Sequence, residues 1–315
     1  MTQLANDRPA LSAAPGLGSG LALAIVSATT FGLSGPLATG LLTTGWSPGA
    51  IVLGRIAIAA LALAPFALRA LRGRWHLLRR QVTQVLLYGI LAVAGAQFCY
   101  FSAVAMMDVA PALLIEYTAP AAVVAWLWLR RGQRPRPLTV LGAVVAAAGL
   151  VLVLDLVSGA DLAWSGVAWA LGAMIGATAY FLISADTDSG LPPMALAGSG
   201  LFVGALSLAL LAAVGLLPMH ASTAAAHYAL GSPAWWVPLL LLGLVTAAVP
   251  YATGIAASRR LGSRVASFVA LLEVVAAVLF AWLLVSQLPG VMQLAGGLLI
   301  IGGVVAVRLG DREIA

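Results

Sequence analysis

Residues 134–155 read Arg-Pro-Arg-Pro-Leu-Thr-Val-Leu-Gly-Ala-Val-Val-Ala-Ala-Ala-Gly-Leu-Val-Leu-Val-Leu-Asp. Between Arg136 and Asp155 no residue is charged, and the run is close to the roughly 20 residues a helix needs to cross a hydrocarbon core about 30 Å thick. Such a stretch is a candidate bilayer-crossing helix, delimited by arginines at one end and an acid at the other. Searching outward for windows of the same kind, ended by arginine, acid or Gly/Pro turns, finds ten: 17–43, 49–71, 82–107, 109–129, 137–155, 163–186, 191–217, 234–257, 262–285 and 289–309. The third and fourth meet at Asp108 with almost no linker. A β-barrel does not fit, because its strands alternate in polarity and these runs are continuously apolar.

Composition agrees with the windows. Of 315 residues 62% are hydrophobic and 8% charged, with a mean hydropathy of +1.06, whereas about a quarter of the residues in a soluble domain are charged. One cysteine excludes a disulfide scaffold and a thiolate metal cluster. The net charge of +6 comes from arginines in short gaps between apolar runs, not from a basic face interleaved with aromatics, so no nucleic-acid partner is expected. Residues 1–16 are polar and read as a tail. The apolar run after them exceeds the about 7 to 15 residues of a signal-peptide core, so no cleavage is expected there.

Arginine placement sets an expected orientation, since basic residues are retained on the cytoplasmic side of short loops. Arg8 precedes the first helix. Arg69, Arg72, Arg74, Arg79 and Arg80 mark the second gap, Arg130, Arg131, Arg134 and Arg136 the fourth, Arg259, Arg260 and Arg264 the eighth, and Arg308 and Arg312 the end. The odd-numbered gaps carry none. Both termini are therefore expected in the cytoplasm, with 310–315 as a short C-terminal tail, in the inner membrane of a bacterium. Trp46, Trp164, Trp235, Trp236 and Trp282 fall at expected outer ends and Trp75, Trp126 and Trp128 at inner ends, as interfacial anchors would. The one sizeable loop, 218–233, holds His220 and His227, read as solvent-side residues without a metal role.

Compared with itself at a shift of 154, the chain aligns helices three to five with eight to ten. Leu87-Tyr88-Gly89-Ile90-Leu91 falls on Leu241-Leu242-Gly243-Leu244-Val245, Trp128 on Trp282, and Gly142 and Gly149 on Gly296 and Gly303. A shift of 146 lays Ser19-Gly20-Leu21-Ala22 on Ser165-Gly166-Val167-Ala168. Chance similarity of Gly/Ala/Leu-rich helices is the competing explanation. A five-helix unit ends on the side opposite its start, so a second copy is inserted upside down, the architecture that lets many secondary transporters open one central site to either side. The expected fold is thus an all-α polytopic membrane protein of ten helices in two inverted repeats, 17–155 and 163–309.

On these residues the chain resembles the ten-helix exporters of the drug/metabolite transporter superfamily, built from two EamA-type repeats. The likeness is carried by Glu116-Tyr117-Thr118-Ala119-Pro120 with the apolar run to Leu129, and by Leu271-Leu272-Glu273-Val274 with the run to Val285. Each precedes a Gly-rich helix, Leu141-Gly142 to Gly149 and Ala295-Gly296-Gly297 to Gly302-Gly303. Valine stands at 274 where the family commonly has proline. Among members the chain looks most like bacterial amino-acid exporters, including the aromatic amino acid (YddG-like) type. The resemblance implies alternating access around a cavity lined by helices one, three, four, six, eight and nine, and a small-molecule substrate.

Charge inside the bilayer is costly, about 2.5–3.5 kcal/mol per group on insertion scales, and marks function by default. Arg55, Glu116 and Glu273 qualify. Arg55 and Glu116 lie six and seven residues from the outer ends of their helices, a shared depth of about 10 Å, so they can pair, either as a structural staple or in substrate binding and gating. Glu273 falls near the midplane with no cation of similar depth in the sequence. It is either a protonatable site coupled to export or binding a substrate ammonium, or a neutral carboxyl bonded to a neighbouring helix. Pro36, Pro120 and Pro250 interrupt helices one, four and eight, as hinges or as static kinks. Gly172 to Gly176 and Gly200 to Gly204 have the spacing of close helix packing. Near mid-depth on the cavity helices, Gln97, Tyr100, Tyr117, Trp169, Tyr180 and Tyr251 are available to an amphipathic, partly aromatic solute, or to one another as packing. Cys99 reads as packing.

An intramembrane enzyme would require a His-Glu-x-x-His, Ser/His or paired-aspartate constellation in mid-helix, and none is present. Nothing resembles a channel filter. A nucleotide-sugar or phosphate-ester carrier would need several cavity cations, and only Arg55 is available. No Walker A motif occurs, so neither ATP hydrolysis nor a cofactor is expected. The reading is a secondary exporter of small metabolites, amino acids including aromatic ones, with proton coupling an open feature.

Overall fold

The computed structural model describes residues 17–104, 106, 109–154 and 163–312. Among these residues the chain is helical apart from turns and the loop at 218–233, and the only strand-like feature is an isolated bridge between Tyr228 and Gly231. Eight helices are long and apolar enough to cross a membrane, and two shorter apolar helices, Pro137–Val153 and Leu272–Val285, complete ten segments. Arg8 and Asp108 lie outside the described residues.

The first segment is Leu17–Gly32 and Ser34–Leu42, the second Pro48–Ala70. The third runs through Val82–Leu87, Tyr88–Gly95 and Ala96–Val104; the fourth is Val109–Glu116 and Ala119–Arg131; the fifth is Pro137–Val153. The sixth and seventh are Trp164–Ser184 and Pro193–Ala213. The eighth, Trp236–Gly243 and Leu244–Ala248, continues into Val249–Ala270, which turns at Gly262 (φ 76°, ψ 161°) so that its later part begins the ninth. Leu272–Val285 finishes the ninth and Val291–Arg312 is the tenth. The seventh is shorter than expected at both ends and the tenth reaches three residues further.

Irregularities in the helices obey the 154-residue shift. Tyr88–Gly95 of the third segment and Leu244–Ala248 of the eighth are π-helical, and residues 90–94 map onto 244–248. The fourth segment breaks at Tyr117 and Thr118 and the ninth at Leu271, the position equivalent to Tyr117. Packing obeys it too. The fifth and tenth segments cross with backbones in near contact. A side chain at Gly142 would come within 2.6 Å of the Gly303 carbonyl, and one at Gly149 within 2.5 Å of the Gly296 carbonyl. Exchanging the repeats converts the first contact into the second, which is what an in-plane two-fold axis requires. Likewise the first segment packs on the eighth and the sixth on the third. The two repeats are therefore interlocked, each supplying the partner helix of the other, and the space left between them is the cavity described below.

Most tryptophans expected as anchors are exposed on the bundle surface, as apolar residues facing lipid are: Trp164, Trp236, Trp282, Trp75, Trp126 and Trp128. Trp46 is a correction. It is buried, its indole Nε1 donates to the Ser222 carbonyl at 2.8 Å, and its ring lies 5.7 Å from that of Trp235. The cause is the 218–233 loop, which folds back on the bundle. Ser47 Oγ donates to the Pro218 carbonyl at 2.8 Å, the Tyr228 hydroxyl donates to the Leu37 carbonyl at 2.6 Å, and Ala229 N donates to the Leu284 carbonyl at 2.7 Å. Burial pushes the Tyr228 hydroxyl up to about 12, so it remains a donor at any physiological pH. Two of the arginines that mark the eighth gap are also part of the packing. Arg264 is buried and pairs with Asp311 at 2.8 Å, and Arg259 donates to the Leu191 carbonyl.

Candidate functional site

A cavity of about 970 Å³ lies between the repeats. It reaches the arginine-free end of the bundle at Leu42, Pro48 and Leu288, and stops at Ala24, Ser258 and Ser267, short of the arginine-bearing end. Below that floor the first segment closes on the eighth: a side chain at Gly20 would come within 3.0 Å of Arg260 and Leu261.

Of the residues singled out in the sequence, Arg55, Glu116, Glu273, Gln97, Tyr100, Tyr117, Tyr180 and Tyr251 line this one cavity, together with Pro36 and Pro120. Trp169 does not. It packs edge-on against Phe98, ring centroids 5.6 Å apart, in a separate cluster with Ala103, Ala112 and Ala170. Pro250 lies behind the wall, and its carbonyl accepts from the Ser27 hydroxyl at 3.0 Å.

Arg55 is held from the eighth segment, whose ladder is interrupted by the π-helical stretch Leu244–Ala248 and by Pro250, which has no N–H. Arg55 Nη2 donates to the Thr246 carbonyl in that stretch, at 2.9 Å across 191 residues of chain. Arg55 is 8% exposed, and this bond lets a charged group sit there with one hydrogen bond already made.

The ion pair expected between Arg55 and Glu116 is not formed. Of the two acids it is Glu273 that lies within the electrostatic reach of Arg55, without ion-pair contact, so Glu273 is not far from a cation; Glu273 also interacts with the Tyr117 hydroxyl. Glu116 faces Glu273 and Tyr100. Equal depth at a fixed rise per residue does not make neighbours of two side chains, because it says nothing of where around the bundle each helix stands. Gly32 brings the first segment against this region, since a side chain there would meet the Glu273 carbonyl at 2.6 Å. Glu273 sits in the first turn of Leu272–Val285, the end of a helix whose dipole favours an anion.

Aromatic rings form the remainder of the wall. Tyr251 lies 5.4 Å from Phe31 and 5.8 Å from Tyr180, each edge to face, and Tyr180 lies 4.9 Å from Phe181. Phe31, Ser27 and Ser258 line the cavity but were not singled out in the sequence. Ordinary helix composition hides them; the Phe31-Gly32 step beside Pro36 is the nearest thing to a signal.

A cavity enclosed by interlocked inverted repeats, walled by rings and carrying opposite charges, defines the class: a multi-pass membrane transporter. The EamA-like transporter family matches residues 18–155 and 164–309, and the chain belongs to that family. A solved crystal structure of another protein, 21% identical, superposes with a TM-score of 0.75 over 94% of this chain and 99% of that one, which shows the same fold. No curated protein matches.

Proposed function

We propose that the protein exports small zwitterionic metabolites, amino acids with aromatic or apolar side chains, across a bacterial inner membrane by alternating access, with its arginine-bearing end in the cytoplasm. One observation carries this reading: a single cavity presents a cation, Arg55, and two carboxyls, Glu273 and Glu116, against a wall of tyrosine and phenylalanine. An α-carboxylate matches Arg55, an α-ammonium matches Glu273, and an apolar side chain matches the rings. A phosphate ester or nucleotide sugar fits poorly, because two carboxyls repel a dianion and one arginine does not offset them.

Protein reconstituted in liposomes loaded with unlabelled phenylalanine is expected to take up labelled phenylalanine by counterflow, and to discriminate against sugar phosphates. Counterflow of sugar phosphates without any of amino acids would remove the proposal. Repeating the assay at two pH values with Glu273→Gln tests whether that carboxyl carries a coupled proton: a pH dependence lost in the variant supports coupling, and an identical profile in both proteins refutes it.

A further inference from the structure

Between the cavity floor and the arginine-bearing end lies a cluster of polar side chains that the central site does not use. Ser258 belongs to the floor. Behind it, Gln84 and Tyr88 of the third segment, Ser184 at the end of the sixth, Asp186 in the turn that follows and Arg259 of the eighth converge. Tyr88 and Ser184 are fully buried. Gln84 Nε2 donates to Asp186 Oδ2 at 2.9 Å, Arg259 Nη1 donates to the Leu191 carbonyl, and Arg259 lies in the field of Asp186 and Tyr88.

Much of the cluster is unpaired. Arg259 Nε and Nη2, Gln84 Oε1 and the hydroxyls of Tyr88, Ser184 and Ser258 are buried with no hydrogen-bond partner. Tyr88 and Ser184 face each other without reaching hydrogen-bond geometry. A buried polar group left unmet is a substantial penalty, which is why protein interiors seldom contain one. Six such atoms between the cavity floor and the arginine-bearing end make a poor permanent plug. They make sense as a lining that is dry in one conformation and wetted in another. The cluster is also continuous with the central site: the Tyr88 ring is 5.9 Å from Tyr180, which is 5.8 Å from Tyr251 in the cavity wall. Closure of the sixth segment on the eighth is by direct contact at a glycine, Gly254 against the Tyr180 hydroxyl.

We propose that this cluster is the closed arginine-side half of the translocation path, and that Arg259 receives the substrate carboxylate there before it reaches Arg55. The path depends only on alternation of the two repeats; the role of Arg259 rests on the zwitterion reading above. Opening separates the third and sixth segments from the eighth, releases Arg259 from the Leu191 carbonyl and exposes its unpartnered Nε and Nη2 to the arriving anion.

The test uses the full-length protein with its single cysteine, Cys99, replaced by alanine. Ser184→Cys in that background is expected to react with a membrane-impermeant maleimide from the arginine-bearing face and not from the other, in vesicles of either orientation. Reaction from the opposite face, or none from the arginine-bearing face in a variant that still transports, overturns the path. Gln84→Cys, nearer the mouth, serves if the first variant does not fold. In the second arm, Arg259→Gln is expected to raise KM for phenylalanine presented at the arginine-bearing face by about tenfold, as loss of a charge-assisted bond would. KM at the other face should stay nearly unchanged, and Arg259→Lys should recover part of the loss. Equal shifts at both faces, or a change in maximal rate alone, would make Arg259 a structural latch and overturn its assignment. If no amino acid is transported, the labelling still reports the path, so the two readings fail separately.

Discussion

The fourth and ninth segments are the same structure twice and a different chemistry each time. Both are apolar helices broken at equivalent positions, Tyr117 and Leu271, with an acid beside the break. In the fourth the acid, Glu116, ends the helix before the break, whereas in the ninth Glu273 opens the helix after it. A helix C-terminus disfavours an anion and an N-terminus favours one, by roughly 0.3–1 kcal/mol at exposed positions. Glu273 also has Arg55 and Tyr117 for company, and Glu116 has Glu273 and Tyr100. The scaffold is two-fold and the charge is not. In the exporter proposed above, the symmetry would let the path open to either side, and the unequal acids would give the site a direction in which a zwitterion can lie.

That contrast can be broken most directly at the acids themselves. Glu273→Gln is expected to reduce phenylalanine counterflow by about 100-fold, as loss of a charged hydrogen-bonding pair would; Glu116→Gln should cost far less, and a reversed ranking would show that the two sites had been assigned the wrong way round. The symmetric side of the comparison is tested at the fifth and tenth segments. Gly149→Leu and Gly296→Leu each force a side chain into a backbone contact and are expected to destabilise by similar amounts, roughly 1–3 kcal/mol or more. Thermal unfolding in detergent measures this, and clearly unequal melting shifts would deny the two-fold relation.

Arg55→Lys keeps the charge but loses the planar donor fork that reaches the Thr246 carbonyl, so KM is expected to rise about fivefold. An unchanged KM would show that charge alone, without that anchoring bond, suffices. The smallest effect is expected where the repeats differ most in their connections. The link between segments two and three is short and arginine-rich, whereas that between seven and eight is the docked loop at the arginine-free end. Tyr228→Phe removes the hydroxyl bond to Leu37 and is expected to cost about 1 kcal/mol. Loop proteolysis should quicken slightly while counterflow persists; abolished transport would make the loop part of the gate.

Much of the scaffold was legible in the chain because its signals are local. Continuous apolar runs announce helices, arginine gaps delimit them, and paired glycines at 142/149 and 296/303 mark a crossing that the structure places backbone to backbone. The site was legible only as an inventory. Eight of the nine polar and aromatic candidates converge on one cavity, because a polar group in a bilayer-crossing helix must face inward. Trp169 escaped that rule, being apolar enough to pack between helices.

What the sequence determined by itself was the solvent, the number of crossings and the inverted repeat, since each depends on hydropathy and spacing along the chain. Only the tertiary structure decided that Arg55 lies in the field of Glu273 and not of Glu116, that the interrupted eighth segment anchors Arg55 through the Thr246 carbonyl, and that Arg264 belongs to the packing. These facts depend on which helix stands beside which and on where each helix breaks. Distance through space between residues nearly two hundred positions apart is not written in any local pattern.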